Sequence, residues 1–209
     1  MNSTLLHLFP SLTEKQCDQF DQAVHLYTIW NDRINVISRK DILHLEDHHI
    51  LHSLSIGLAF QFLPGTRIMD AGTGGGFPGI PLAILFPDVE FTLVDSIAKK
   101  IDVVRTIKNE LGLTNVILVR ERFENIKGTF EFITGRALTN LPDLVRTLKP
   151  KINKFKVSDQ DHGIIYLKGG DFIDELSVIH SQNKVYDIAR WIPDPWFETK
   201  KIVHLFNFS

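Results

Sequence analysis

The chain has 209 residues, 44% of them apolar and 23% charged, with a formal net charge of −2 and a single cysteine. A chain of this length buries roughly 70% of its unfolded surface when folded, which excludes disorder as its main state. Cys17 has no partner for an internal disulfide, and the near-zero charge excludes a generic basic coat for nucleic acid. The opening residues lack a basic leader region, and their short apolar run is broken by Pro10. No stretch has the length and apolarity of a membrane span. A cytoplasmic protein with no membrane partner is expected.

In chain order, the first sixty or so residues read as helical. Ser11 with Glu14 fits a capping box, and Cys17, Phe20, Val24 and Tyr27 recur at spacings of three and four. A polar joint is expected over 31–35. A second helix is expected from Asp41, with Leu51, Leu54, Leu58 and Phe62 on one stripe, stopped by Pro64-Gly65. From Thr66 the rhythm changes to short apolar runs alternating with helical stretches. Strands are expected at 67–71, 91–94, 116–119, 130–134 and 164–167. Helices are expected at 78–85, 98–111, 138–148 and 172–179. Such alternation implies βαβ units and a parallel sheet covered on both faces. Two further strands, 185–191 and 201–208, flank Pro193 and Pro195 and read as a closing hairpin. The expected architecture is α/β, with a mostly parallel seven-stranded Rossmann-like sheet over 64–209 and an N-terminal helical extension over 1–63.

The most informative run is Asp70-Ala71-Gly72-Thr73-Gly74-Gly75-Gly76-Phe77-Pro78-Gly79, lying between a predicted strand and a predicted helix. Glycines permit the tight turn and leave backbone amides open to a ligand. Asp95 ends the next strand, where a carboxylate can accept from both hydroxyls of a ribose. A dinucleotide loop seats a pyrophosphate on the helix N-terminus, and an acid just before the loop would oppose that charge. Asp70 suits a cofactor with a cationic end, such as S-adenosylmethionine, although it could merely cap backbone amides. The run resembles the first motif of class I methyltransferases, with Asp95 as the second. A nicotinamide-dependent oxidoreductase is the alternative enzyme.

Several methyl acceptors are disfavoured by absence. Attack at C5 of a pyrimidine needs a cysteine nucleophile, and Cys17 lies in the helical extension. Exocyclic amine methylation typically uses an Asn/Asp-Pro-Pro-aromatic element after the fourth strand, where this chain has Thr134-Gly135-Arg136-Ala137. The partial likeness Asp194-Pro195-Trp196 falls later and reads as a hairpin loop. For ribose methylation Lys168 is available, but no aspartate closes the fourth strand. A ring nitrogen with its own lone pair, such as guanine N7, needs no general base and remains permitted.

The chain resembles the small-subunit ribosomal RNA methyltransferase G family, also known as glucose-inhibited division protein B. The likeness is carried by Trp30-Asn31 with Asn35, His49-Ile50-Leu51-His52-Ser53, and the loop from Asp70 through Phe77-Pro78-Gly79-Ile80-Pro81-Leu82. It continues in Thr92-Leu93-Val94-Asp95-Ser96, Lys99-Lys100, Asn115-Val116, Arg122-Phe123-Glu124, Gly135-Arg136-Ala137 and Leu167-Lys168-Gly169. The resemblance implies methyl transfer from S-adenosylmethionine to N7 of one guanosine in 16S rRNA, on the RNA or the small ribosomal subunit. No obligate protein partner is inferred, and the non-catalytic alternative is a ribosome-assembly factor that binds cofactor and RNA without turnover. It implies that Gly72, Gly74 and Phe77 line the cofactor pocket, that Asp95 holds the ribose and that Phe123 and Glu124 flank the adenine. Arg136 would reach the cofactor or the incoming base, and His49 is a second positioning candidate. The plainer readings are a surface ion pair for Arg136 and ordinary core for Phe123.

The family usually has Arg-His-Ile-Leu-Asp-Ser where this chain reads His48-His49-Ile50-Leu51-His52-Ser53. The change puts any ion pair at those two positions in doubt and places His44, His48 and His52 at i, i+4 and i+8. Such a row can ligate zinc, but without a nearby cysteine a solvated or substrate-side helix face is expected, and no metal. His49 would belong to the core or to the floor of the site. RNA contacts must come from local charge, for which Arg146, Lys149, Lys151, Lys154 and Lys156 form the densest stretch. Lys99, Lys100, Arg120 and Arg122 are further candidates.

Overall fold

The computed structural model describes residues 3–154 and 160–208. Its strands are β1 (Arg67–Ala71), β2 (Glu90–Asp95), β3 (Val116–Arg120), β4 (Phe132–Arg136), β5 (Gly163–Gly169), β6 (Gln182–Asp187) and β7 (Lys200–Phe206). They form one sheet in the order β3-β2-β1-β4-β5-β7-β6. The first five are parallel, and β7 lies antiparallel between β5 and β6. The order reverses between β1 and β4, and in open parallel sheets the crevice beyond the strand ends at that point receives ligands.

The helices are α1 (Ser3–Leu8), α2 (Glu14–Arg33), α3 (His52–Ala59), α4 (Gly79–Leu85), α5 (Ala98–Glu110), α6 (Leu141–Leu148) and α7 (Ile173–Ser177). One core face joins α2 to α5 and the sheet through Phe20, Tyr27, Leu54, Ile80, Leu93 and Val104, all fully or nearly fully buried. The other holds Met69, Ile133, Leu144, Ile164 and Tyr166. The helical extension therefore shares its core with the sheet, and each large apolar side chain it buries contributes roughly 1.5–3 kcal/mol. At the opposite end from the crevice, Glu131 accepts from the Arg67 amide, the Arg67 guanidinium and Asn153, tying the starts of β1 and β4 together.

Local chemistry moved several boundaries. The capping box of α2 is Thr13 with Gln16, not Ser11 with Glu14: Thr13 is extended, its hydroxyl accepts from the Gln16 amide, and Gln16 Oε1 accepts from the Thr13 amide. The expected joint at 31–35 is partly helix, and buried Asn31 builds the turn that follows by accepting from the amides of Val36 and Ile37. The expected helix from Asp41 is three pieces, a 3-10 turn (Asp41–His44), a π-helical stretch (Leu45–Leu51) and α3. It ends at Ala59, so Phe62 packs from outside it. β4 begins at Phe132 because Phe130 pairs instead with Ile152. β6 ends at Asp187, where a 3-10 turn over Ile188–Arg190 buries Ile188.

Candidate functional site

The site is built where the C-terminal ends of β1, β2 and β4 meet. After β1 the chain enters the glycine loop, in which Gly72 and Gly74 take φ values of +60° and +58°. A side chain at Gly72 would also strike Leu138, so only glycine suits this turn. Asp95, at the end of β2, holds the loop from the side: its Oδ2 accepts from the Gly74 amide at 2.9 Å and its Oδ1 from the Ile97 amide at 2.8 Å. From the helical extension, the buried Tyr27 hydroxyl donates to the Gly75 carbonyl at 2.6 Å, and its ring packs 4.7 Å from Phe77.

Asp70 differs from its expected place. It is fully buried behind the loop, where it accepts from the Thr73 and Thr134 hydroxyls and the Gly79 amide. Burial pushes its pKa up to about 6 against the pull of those hydrogen bonds. Asp70 is thus a brace for the loop and does not line the crevice, so its charge does not face a cationic ligand as expected.

A cavity of about 380 Å³ occupies the crevice, and Gly72, Gly74, Phe77, Asp95, Phe123, Glu124 and Arg136 all line it. Val36, Lys100 and Arg122 line it as well. Val36 was missed because it lies in an irregular segment of the extension, with no periodicity to read. Phe123 is half-buried, lining the cavity while packing against the core behind it, and Glu124 is exposed beside it. The loop that carries them is held from behind by Lys151, whose ammonium donates to the carbonyls of Glu124 at 2.9 Å and Ile126 at 2.5 Å. Lys151 is therefore buried and unavailable to RNA, contrary to expectation. Of the other expected RNA contacts, Arg146 pairs with Asp143, Lys154 is exposed and Lys156 lies outside the described residues.

The set fits an adenosyl cofactor. A carboxylate at Asp95 is placed for a ribose, an aromatic face at Phe123 for a base, and an acceptor at Glu124 for an exocyclic amine.

Arg136, at the end of β4, is not in a surface ion pair. It reaches across to the π-helical stretch, donating to the His48 carbonyl at 3.2 Å and approaching His49 Nδ1 at 2.6 Å, with its guanidinium 5.2 Å from the Phe77 ring centroid. A guanidinium can only donate, so His49 Nδ1 is an acceptor and the ring proton sits on Nε2, which donates to Asp41 at 3.0 Å. Burial and the neighbouring Arg136 charge lower the His49 pKa to about 4, consistent with a neutral ring. Burial also lowers Arg136 to about 10, which leaves it charged at neutral pH.

The histidine row does not form one solvated face. His44 stacks on His48, His48 stacks on Trp196 at 3.9 Å, and His52 is buried edge-on to Trp196. The expected hairpin loop at Asp194-Pro195-Trp196 is a 3-10 turn capped by Asp194 that points Trp196 at these histidines. His49 and His52 face a second cavity together with Asp41, Lys168, Trp196 and Lys200. Lys168 pairs there with Glu175 at 2.9 Å. This cavity and the first share Arg136 and Ala137. Among the described residues no helix is long and apolar enough to cross a membrane.

The family model for rRNA small subunit methyltransferase G matches residues 16–188. A ribosomal RNA small subunit methyltransferase G from Flavobacterium johnsoniae is 51% identical over 201 residues, covering 96% of each chain. Its counterpart from Phocaeicola vulgatus is 46% identical, again covering 96% of each. Among solved structures, a plantazolicin methyltransferase in complex with SAH matches with a TM-score of 0.59 at 12% identity, over 97% of this chain and 100% of that one. A SAM dependent methyltransferase from Aquifex aeolicus matches with a TM-score of 0.56 at 14% identity, over 81% and 99%. At such identities these two establish the fold, which is that of the class I methyltransferases, and the sequence relatives establish the kinship. The chain belongs to the rRNA small subunit methyltransferase G family.

Proposed function

We propose that this protein transfers the methyl group of S-adenosylmethionine to N7 of a guanosine in 16S rRNA, acting in the cytoplasm on the RNA or the small ribosomal subunit. The observation that carries the N7 reading is the state of the base nearest the shared wall of the two cavities. His49 has its lone pair engaged by Arg136 and its proton by Asp41, so it has no capacity to take a proton from an acceptor. Each Asp41 oxygen receives a histidine, and although burial alone would raise its pKa, those hydrogen bonds hold it below the usual carboxylate range. Such a wall suits an acceptor that brings its own lone pair.

The cofactor supplies an electrophilic methyl on a cationic sulfur. Its transfer to the N7 lone pair would leave the S–CH3 pair on sulfur and the positive charge on the purine, with no proton for the protein to accept. The protein's part is positioning and electrostatics. Asp95 and the glycine loop would hold the ribose, Phe123 and Glu124 would hold the adenine, and the Asp41–His49–Arg136 chain fixes the guanidinium between the cavities.

The direct test is transfer of labelled methyl to small subunits from cells lacking the enzyme, with the product cut by borohydride and aniline, which cleave at N7-methylguanosine. Scission at one site is expected. Cofactor binding without transfer would favour the assembly-factor reading instead. A second expected result concerns Lys151, whose replacement by methionine removes the donor to two loop carbonyls. Calorimetry should show S-adenosylmethionine bound about three- to tenfold more weakly, since one buried donor lost from beneath the loop costs roughly 1–3 kcal/mol, only part of it felt at the site. Unchanged affinity would detach Lys151 from the adenine loop.

A further inference from the structure

The second cavity, about 460 Å³, is unassigned by the cofactor reading, and its walls have a definite chemistry. His44, His48 and Trp196 form a ladder of three rings, with centroids 4.5 and 3.9 Å apart and interplanar angles of 21° and 8°. The Lys200 ammonium lies 4.6 Å from the centroid of Trp196. His48 occupies one face of the indole, so a further ring stacks on the face away from His48, with the Lys200 ammonium beside the same side chain. A flexible lysine swings aside easily, and it is itself a phosphate ligand. Beneath Trp196, His52 is buried edge-on to the indole.

Opposite chemistry comes from Asp41. Its carboxylate lines the cavity and is 42% exposed, and after receiving His48 and His49 it retains lone pairs for two more donors. Guanine presents two adjacent donors, N1–H and the N2 amine, on the edge opposite N7. An anion on that edge also favours the positive charge that N7 acquires on methylation. Leu43, between Asp41 and His44, is 84% exposed, an apolar wedge of the kind that fills a stack from which a base has left.

We propose that this cavity receives the acceptor guanine, turned out of its stack, with Trp196 as the stacking wall and the Asp41 carboxylate as the acceptor for its N1–H and N2–H edge. The proposal rests on the N7-guanine reading above, and it places N7 on the side away from Asp41, the side left for the Arg136 and Ala137 wall shared with the cofactor cavity.

The test compares small subunits rebuilt with guanosine or inosine at the acceptor, inosine lacking only the N2 amine. The wild-type protein is expected to show kcat/KM about tenfold lower on inosine, the usual effect of removing one hydrogen bond to a charged group. Asp41→Asn should bring the two substrates within about twofold of each other. Trp196→Ala should lower kcat/KM for RNA about tenfold or more, with S-adenosylmethionine affinity within twofold of wild type, and Trp196→Phe should recover most of the loss. The pocket is overturned if wild type treats inosine and guanosine alike. It is equally overturned if Trp196→Ala transfers within twofold of wild type, or loses cofactor affinity in parallel. A methyl group found at an atom other than N7 overturns the functional reading itself, which the scission assay reports separately from the inosine ratio.

Discussion

Replacing Asp95 with alanine is expected to weaken S-adenosylmethionine binding about a hundredfold. The carboxylate has a double task. It accepts from the amides of Gly74 and Ile97, which keeps the glycine loop at the end of β1 apposed to the end of β2. It also lines the cofactor cavity with lone pairs to spare for a ribose diol. A hydrogen bond to a charged group contributes roughly 1.5–3 kcal/mol, and the loss of two from the ligand together with looser backbone accounts for a change of that size. Calorimetric titration reads the effect directly, and Asp95→Asn should fall between, because an amide oxygen accepts one hydroxyl without the charge. An affinity within threefold of wild type for the alanine variant would remove Asp95 from the ribose site.

Lowering the pH from 6.5 to 4 is expected to destabilise the fold more steeply than its carboxylates account for. His49, His52 and His204 are buried, and burial lowers the pKa of each, to about 4 for His49 and His204. Unfolded, each titrates near 6.5, so in this window the unfolded chain binds three more protons from histidines. Stability carried by a depressed histidine is complete above 6.5 and is lost as pH falls toward the folded value. Asp70 acts in the opposite sense: its pKa rises to about 6 on folding, so between about 4 and 6 the folded chain holds one proton more. The net uptake on unfolding is about two protons near pH 5, a slope of roughly 2–3 kcal/mol per pH unit. Urea titrations at pH 7, 6 and 5 measure it. His204 sits in β7 among Phe60, Phe132 and Phe206, away from both cavities, so His204→Leu should remove one proton from the count and about half of the slope. A slope unchanged in that variant would mean that His204 does not titrate differently in the two states.

The glycine run, the strand that precedes it and Asp95 were legible in the sequence because their requirements are local. A turn with positive φ needs glycine, and the end of a buried strand has one exit. Alternation of strands and helices likewise pointed to the parallel sheet, and the two prolines to the antiparallel pair that closes it. Where the linear pattern misled, a contact distant in sequence had won. Ser11 and Glu14 have the spacing of a cap, but α2 is anchored by Gln16 donating to the carbonyls of Ile84 and Leu85, and the cap moved with it. Lys151 looked like part of a solvated basic stretch until its ammonium found two carbonyls of the loop in front of it, a compensation that makes burying a charge tolerable. The row of histidines looked helical and exposed. Its π-helical turn aims His48 and His49 together at Asp41, leaves His52 beneath Trp196, and so converts a surface pattern into a cavity wall.

Length, composition and charge excluded disorder, disulfides and a basic coat, and the residues themselves carried the family, the fold and the cofactor loop. The family came from the likeness of its motifs, and the fold and the glycine loop from periodicity, backbone conformation and near-neighbour chemistry, which are properties of short segments. Which way a carboxylate faces is another matter. Asp70 and Asp95 lie at the ends of adjacent strands, yet one braces the loop from behind and the other opens to the cavity, because the returning loop and the start of α4, with Thr134 of β4, surround the first with donors and leave the second at the crevice. The net charge of −2 says as little about where RNA would sit. Only the assembled sheet brought Arg136, His49, Asp41 and Trp196, drawn from segments far apart in the chain, to the rim of one cavity.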